Sequence, residues 1–281
     1  MLVLLEKLVL SEYPRKTDPV TKLEFFPLGQ ALRSALFYVV LVVSVIIWAS
    51  LVIVISPFLP FHKRYVFAIT WWSRFITRAL SICCNITYRV EGLENIPAQA
   101  CIVYSNHQST WETFFLQTLF YPQATVIKKE LLSIPFFGWG FSMVSPIAID
   151  RSDRKNAMQQ VMEQGSQRLK DGIWVMIFPE GTRVDAGQRK PFSHGGARLA
   201  LASGAPLLPI AHNAGEHWPN NRFLKYPGEI RVVIGAPIWP EGKSEAELTA
   251  EGERWINATV DRISHRGQAS DALLGAPESR V

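Results

Sequence analysis

The chain has 281 residues, enough for one sizeable α/β domain with an appendage or for two small domains. It is 48% hydrophobic and only 19% charged, which is apolar for a protein living wholly in water and points to membrane contact. A formal net charge of +5 suits anionic partners such as lipid headgroups, phosphorylated substrates or nucleic acid. Cys83, Cys84 and Cys101 exclude a disulfide framework, lack C-x-x-C metal spacing and fit a reducing, cytosolic setting.

Residues 1–33 are mixed: Leu2 to Leu10 is apolar but carries Glu6 and Lys7, and Pro14, Pro19 and Pro27 interrupt the stretch after it. No apolar stretch there leads closely into a small-residue cleavage site, so a signal peptide is not indicated and the role of this extension stays open. From Ser34 to Pro60 there is no charged residue, and about 20 apolar residues cross a bilayer core. The alternative for such a run is a buried core helix. Lys22 and Arg33 precede it and Lys63 and Arg64 come after it, so the positive-inside rule gives no orientation. A break near Ser56-Pro57 would make it a hairpin entering and leaving by one face. Between Tyr65 and Cys84, Trp71, Trp72 and Phe75 mix with Arg74 and Arg78, as in an interfacial helix among headgroups or an ordinary amphipathic helix on the domain.

After Asn85, short β-type runs alternate with helical segments. Strands are predicted at 86–90, 101–105, 124–127, 144–149, 174–178, 207–211 and 230–234, and helices at 109–120, 153–170, 195–203 and 244–265. Met158, Val161, Met162, Gly165 and Leu169 form one stripe at helical spacing and read as core. Ser244 and Glu247 form a capping box opening the last helix. Alternating strands and helices imply an α/β sheet with helices on its faces. The organisation read from this pattern is an extension (1–33), anchoring helices (34–84), a catalytic domain (85–265) and a loose tail (266–281).

Four strand ends carry chemistry. After the strand 101–105 come Asn106 and His107, then Ser109-Thr110-Trp111-Glu112. Those four residues read as an S-x-x-E capping box; with His107 as a general base, Glu112 reads instead as its orienting carboxylate. Phe178-Pro179-Glu180-Gly181-Thr182-Arg183 ends another strand, where Pro and Gly set a turn and Arg183 offers a planar fork of donors for a phosphate. Its alternative is a plain charged turn. Ile149-Asp150-Arg151 and Lys128-Lys129-Glu130 end two more strands. Together these ends direct a His, an acid, two arginines and two lysines toward one edge, an electropositive pocket around a candidate base. His212 and His217 are not a recognised metal pair and read as loop residues.

These blocks resemble, in order, those of the glycerolipid acyltransferase family that contains the 1-acylglycerol-3-phosphate acyltransferases. The resemblance rests on Asn106-His107 with an acid at 112, Lys128 to Gly140, Ile149-Asp150-Arg151, Phe178 to Arg183, and Leu207-Leu208-Pro209-Ile210, and it covers roughly residues 85–240. The family's usual acid at the position of Glu112 is aspartate. The resemblance implies an α/β domain with a mixed sheet flanked by helices and an N-terminal membrane anchor. It also implies a fatty acyl transfer from coenzyme A or acyl carrier protein to lysophosphatidic acid, giving phosphatidic acid. His107 and Glu112 would be catalytic, and Lys128, Arg151, Glu180, Gly181, Thr182 and Arg183 would bind substrate. No metal, resident cofactor or nucleic-acid partner is implied, and the catalytic domain is expected on the cytoplasmic face of a bacterial-type inner membrane. Other acceptors, such as glycerol 3-phosphate, another lysophospholipid or a lyso-aminolipid, remain open alternatives, as does a non-catalytic protein binding anionic lipid. No G-x-S-x-G nucleophile elbow is present, which argues against a serine hydrolase.

Overall fold

Residues 34–55 of the uncharged run lie in one helix, α1 (Pro27–Ile55), in a computed structural model that describes residues 27–135, 137–144, 146–150 and 154–264. The sequence readings made on residues 1–26, on Arg151 and on the tail lie outside the described residues. At about 1.5 Å per residue, α1 is longer than the roughly 30 Å core of a bilayer. Leu28–Phe58 is the one stretch among the described residues long and apolar enough to cross a membrane. A 3₁₀ turn at Ser56–Phe58, with Pro57 in its first positions, ends it.

The chain then doubles back through α2 (Phe61–Tyr65), a π-helical turn at Val66–Trp71 and α3 (Trp72–Cys84). A turn therefore does form at Ser56-Pro57, and the returning arm is residues 61–84. Two indole N–H groups tie the arms together: Trp48 donates to the Ala68 carbonyl at 3.2 Å and Trp72 to Ser44 Oγ at 3.2 Å. α3 buries Trp72, Ile76, Leu80 and Cys84 and turns Arg74, Phe75, Arg78 and Ile82 outward, beside the exposed Trp71 at the end of the π-helical turn. Asn85, in the left-handed region at φ 55°, closes this helix and starts the sheet.

Seven strands complete the sheet: β1 (Ile86–Glu91), β2 (Ile102–Ser105), β3 (Gln123–Lys128), β4 (Ile147–Ile149), β5 (Trp174–Ile177), β6 (Leu207–His212) and β7 (Gly228–Ile234). Their order is β1-β7-β6-β2-β5-β3-β4, parallel throughout except that β7 runs antiparallel to β6. The sheet is mixed, as expected. The helices are α4 (Trp111–Leu119), α5 (Phe137–Ser142), α6 (Arg154–Lys170), α7 (Gly195–Ser203), α8 (Ala214–His217) and α9 (Glu245–Ile263). Side chains of β2 alternate between two cores. Val103 shares one core with Trp72, Trp111 and Phe115, whereas Ile102 and Tyr104 share the other with Val161, Ala197 and Ile256. The sheet is thus covered on both faces, and β2 lies at its centre.

Several predicted boundaries moved, and two of the shifts have a visible cause. The strand expected over 144–149 pairs only at 147–149, because Val144 turns away to pack with Val52, Tyr65 and Ile69. The helix expected from Ser109 starts at Trp111, for a reason that belongs to the active site. Ser244 caps α9 with both arms of its capping box formed.

Helix α1 is part of the folded unit and not a tethered anchor. Phe37 sits in the same core as Trp111 and Ile230. Lys225, fully buried in the loop before β7, donates from Nζ to the Arg222 and Phe223 carbonyls at 2.8 Å, and its ammonium lies over the rings of Tyr38 and Trp218. Its main chain is gripped by α1 on both sides, its N–H by Ser34 Oγ at 3.0 Å and its carbonyl by Gln30 Nε2. The opposite face of α1, including Val39, Val43, Ile47 and Val54, stays exposed.

Candidate active site

Strand β2 runs out at Ser105, and the next residues turn toward α4 instead of extending the ladder. What organises this turn is one oxygen atom. Glu112 Oε1 accepts from the main-chain N–H of Gln108 at 3.0 Å and of Ser109 at 2.8 Å, and meets His107 Nδ1 at 2.8 Å. Ser109 Oγ accepts from Trp111 N–H at 3.1 Å rather than from Glu112 N–H. Only the glutamate arm of the predicted capping box therefore exists, and the helix begins two residues later. The capping and dyad readings of Glu112 hold together: the carboxylate that ends the turn is the one that holds the histidine.

Glu112 is fully buried. Burial by itself raises its pKa, but the hydrogen bonds from His107 and the Ser109 N–H, with the N–H edge of His212 facing its other oxygen, hold the carboxyl below the usual range. An ionised carboxylate cannot donate, so His107 Nδ1 carries the proton of that bond and Nε2 keeps a lone pair. The His107 side chain is 14% exposed, so the base remains accessible.

The second loop locks onto the first. The Phe178 ring stacks on the His107 imidazole at 4.0 Å between centroids and 14° between planes. Glu180 Oε1 accepts from the His107 main-chain N–H at 3.0 Å, and Val184 N–H donates to the His107 carbonyl at 2.8 Å. His107 is thus held at its ring face, its Nδ1 and both main-chain polar groups. Burial pushes the Glu180 carboxyl up to about 7, and the anionic Glu112 nearby pushes the same way. Lys190 Nζ donates to the Glu180 carbonyl at 2.7 Å. Gly181, at φ 69°, takes a left-handed turn position that a side chain would strain.

Beyond this pair lies an apolar cavity of about 340 Å³. Helix α1 supplies Trp48, Ala49 and Val52 to its wall, the π-helical turn Ala68 and Ile69, and α5 Phe141. Thr110 and Thr113, from the turn after His107, and Arg183 line it too. Arg183 Nε is buried with no hydrogen-bond partner among the described residues, an uncommon condition for a cation.

Of the residues singled out in the sequence, His107, Glu112 and Glu180 are in direct contact, and Arg183 sits at the wall of the adjoining cavity. Lys128 does not join them. Thr125 and Ile127 look into the cavity, so strand alternation puts Lys128 on the other face with Val126. Gly181 and Thr182 are exposed on the turn, and Arg151 lies outside the described residues. Glu180 grips the His107 main chain. One reading is corrected: His212 is the fully buried last residue of β6, not a loop residue. Likewise His217 ends the short helix α8 and is buried. Phe178 stands out in the sequence only as part of its motif, and no local signal marks it as the ring under His107. Among the described residues no group of three or more His, Cys, Asp or Glu is placed to hold a metal ion.

An α/β domain that fixes a His–carboxylate pair beside a mostly apolar cavity has the parts of an enzyme acting on fatty acyl groups, and residues 87–213 match the family model described as Acyltransferase. The chain is 49% identical over 238 residues to a 1-acyl-sn-glycerol-3-phosphate acyltransferase of Pseudomonas aeruginosa, covering 84% of this chain and 93% of that one. It is 32% identical over 201 residues to a yeast 1-acyl-sn-glycerol-3-phosphate acyltransferase from Saccharomyces cerevisiae, covering 69% and 66%. It also resembles the crystal structure of the 1-acyl-sn-glycerophosphate (LPA) acyltransferase PlsC from Thermotoga maritima, at 26% identity and a TM-score of 0.72, over 83% of this chain and 95% of that one. The chain belongs to the 1-acyl-sn-glycerol-3-phosphate acyltransferase family.

Proposed function

We propose that this enzyme transfers a fatty acyl group from a thioester to the free hydroxyl of lysophosphatidic acid, giving phosphatidic acid for phospholipid synthesis, at a membrane surface. The observation that carries the choice of acceptor is Arg183: an unpartnered buried guanidinium nitrogen on a mostly apolar cavity wall, next to the turn of the His–Glu pair. A lipid phosphate answers that nitrogen, while the cavity takes aliphatic chain. Arg151, from its place in the sequence, is the second arm of the phosphate clamp; Lys128, on the opposite strand face, is left out of it.

With Nδ1–H committed to Glu112, His107 Nε2 takes the proton from the acceptor hydroxyl as that oxygen attacks the thioester carbonyl. Glu112 stays ionised and stabilises the imidazolium. When the tetrahedral intermediate collapses, the C–S bond breaks and the imidazolium returns its proton to the leaving thiolate, so no acyl-enzyme is required. Clamping the phosphate fixes the hydroxyl against the base, and positioning of this kind contributes about 7 kcal/mol or more. Glu180, Gly181 and Thr182 shape the loop that steadies His107.

The exposed apolar face of α1, with Trp71, Phe75, Arg74 and Arg78 of the returning arm, supports lateral access of lipid from the bilayer. A soluble donor, on coenzyme A or acyl carrier protein, then arrives from the cytosol, which sets the domain on the cytoplasmic face, of the inner membrane in a bacterium.

The acceptor test offers purified enzyme an acyl-CoA or acyl-ACP with lysophosphatidic acid, glycerol 3-phosphate, lysophosphatidylcholine or monoacylglycerol in parallel. Preferential phosphatidic acid formation is expected. Monoacylglycerol acylated as efficiently as lysophosphatidic acid would show that no phosphate is being read, and would overturn the proposal.

A further inference from the structure

We propose that His212 is a positioning residue for the His107–Glu112 pair, acting as a neutral N–H donor that locks Asn106 and faces the free oxygen of Glu112. This rests on the acyl-transfer reading of the same site. The β2–β6 ladder ends at the pair Ser105 and Ile210, one residue before the chain must turn to present His107. Asn106 continues the ladder with its side chain. Its Nδ2 donates to the His212 carbonyl and its Oδ1 accepts from the His212 main-chain N–H, each at 3.0 Å. The His212 ring adds a third bond, Nε2–H to the Asn106 carbonyl at 2.8 Å. The residue immediately before the base is thereby gripped at its amide and its carbonyl by one residue from a neighbouring strand.

The ring's other bond assigns its proton. Ala214 N–H points at His212 Nδ1 at 3.3 Å, so Nδ1 must present a lone pair and the hydrogen belongs on Nε2. That same Nε2 lies 3.9 Å from Glu112 Oε2, and both side chains are completely buried. Oε2 is the carboxylate oxygen with no hydrogen-bond partner among the described residues, in contrast to Oε1 with its three donors. The N–H edge of His212 thus presents positive charge density to the vacant side of the catalytic carboxylate. Burial pushes the His212 pKa down, against the pull of Glu112, in keeping with a donor that carries no net charge and does not compete with His107 for the proton.

The titratable groups facing this arrangement are His107 from the β2–α4 loop and Glu112 from α4, with Glu180 of the β5–α7 loop acting on Glu112 in turn. α8 contributes the Ala214 N–H, and β7 pairs through Val232 opposite His212. The deprotonated dyad carries one negative charge and the protonated dyad none. A dipole that favours the charged form favours the state in which His107 can accept a proton, so its removal should move the acidic limb of the activity profile to higher pH.

Two polar substitutions separate this role from simple core filling. His212→Gln places an amide N–H near the former Nε2, whereas His212→Asn keeps a polar group only near Nδ1 and cannot reach the Asn106 carbonyl or Glu112. Both are made in the full chain and assayed in detergent for kcat, KM for lysophosphatidic acid, the pH profile and the thermal midpoint. The Gln variant is expected to hold kcat within about threefold of the parent. For Asn, kcat should fall roughly 10²-fold with KM nearly unchanged, as for a misplaced reacting group, and the acidic limb of its profile should move to higher pH. Equal kcat and equal pH limbs in folded Asn variant and parent would overturn the proposal. So would equal losses in Gln and Asn that track only a lowered midpoint. If His212→Asn does not fold, His212→Gln decides alone: a folded Gln variant that has lost kcat refutes the donor role. A parent inactive on lysophosphatidic acid contradicts the acceptor assignment instead, and the comparison is then run with the acceptor it does use.

Discussion

Replacing Glu112 with Gln separates the two duties that one carboxylate performs. Gln retains an oxygen in the Oε1 position, so the N–H groups of Gln108 and Ser109 and the Nδ1–H of His107 keep an acceptor. Helix α4 should still start at Trp111, and the histidine should keep its tautomer. What disappears is the charge facing the imidazolium formed during proton transfer. Two unit charges about 4 Å apart in a protein environment attract by about 4 kcal/mol, and a hydrogen bond to the neutral amide survives, so the net loss is about 3–4 kcal/mol. That corresponds to a fall in kcat of roughly 10²–10³-fold with little change in KM, measured as phosphatidic acid formed at saturating lysophosphatidic acid and thioester. Stability supplies a second readout. Because Glu112's pKa is lowered in the folded protein, its contribution is full above the unfolded carboxylate range and disappears as pH falls through the folded value. The parent's advantage in thermal midpoint over the Gln variant should therefore narrow below about pH 4. A folded Gln variant with kcat within about threefold of the parent would refute the dyad and leave Glu112 as a helix cap alone.

Three further outcomes are expected. Arg183→Ala should raise KM for lysophosphatidic acid roughly 10- to 100-fold, the loss of a charge-assisted phosphate contact, while leaving any residual acylation of monoacylglycerol unchanged; equal effects on both acceptors would contradict the clamp. Glu180, pushed up to about 7, stays protonated in the fold while its unfolded form ionises, so this group costs stability as pH rises, by about 3 kcal/mol by pH 8. Glu180→Gln keeps an acceptor for the His107 N–H and should flatten the midpoint's decline between about pH 5 and pH 8, as read by thermal scans; an unaltered decline would contradict this assignment. Lys225→Met should lower the midpoint by about 5 °C by leaving the Arg222 and Phe223 carbonyls short of a donor, and it should reduce activity by loosening α1 from the cavity it walls; an unchanged midpoint would contradict that role.

The strand–turn–helix that presents His107 is legible in the sequence because its signals are local: an apolar run, a polar turn and an acid five residues beyond the histidine. So are the α/β alternation, the capping box of α9 and the long apolar helix. The parts that escape depend on residues distant in sequence. His212 meets Asn106 across 106 positions, and Lys225 meets Ser34 across 191. Glu180 is visible at a strand end, but its partner is a main-chain N–H, which has no sequence signature. Lys128 misleads for a different reason: a strand end delivers a side chain to an edge, yet the face it takes is set by alternation from Thr125 and Ile127. Composition places the hairpin within the apolar run because it marks Pro57 as a break without revealing which segment packs back. Trp48 and Trp72 decide that, through bonds to Ala68 and Ser44.

The most direct test is phosphatidic acid formation from lysophosphatidic acid and an acyl thioester by the purified parent beside His107→Ala, both shown to be folded. Product from the parent, and none above background from the variant, is required if Nε2 of His107 takes the hydroxyl proton. Equal product from both proteins would contradict the proposed base, and with it the mechanism built on the His107–Glu112 pair.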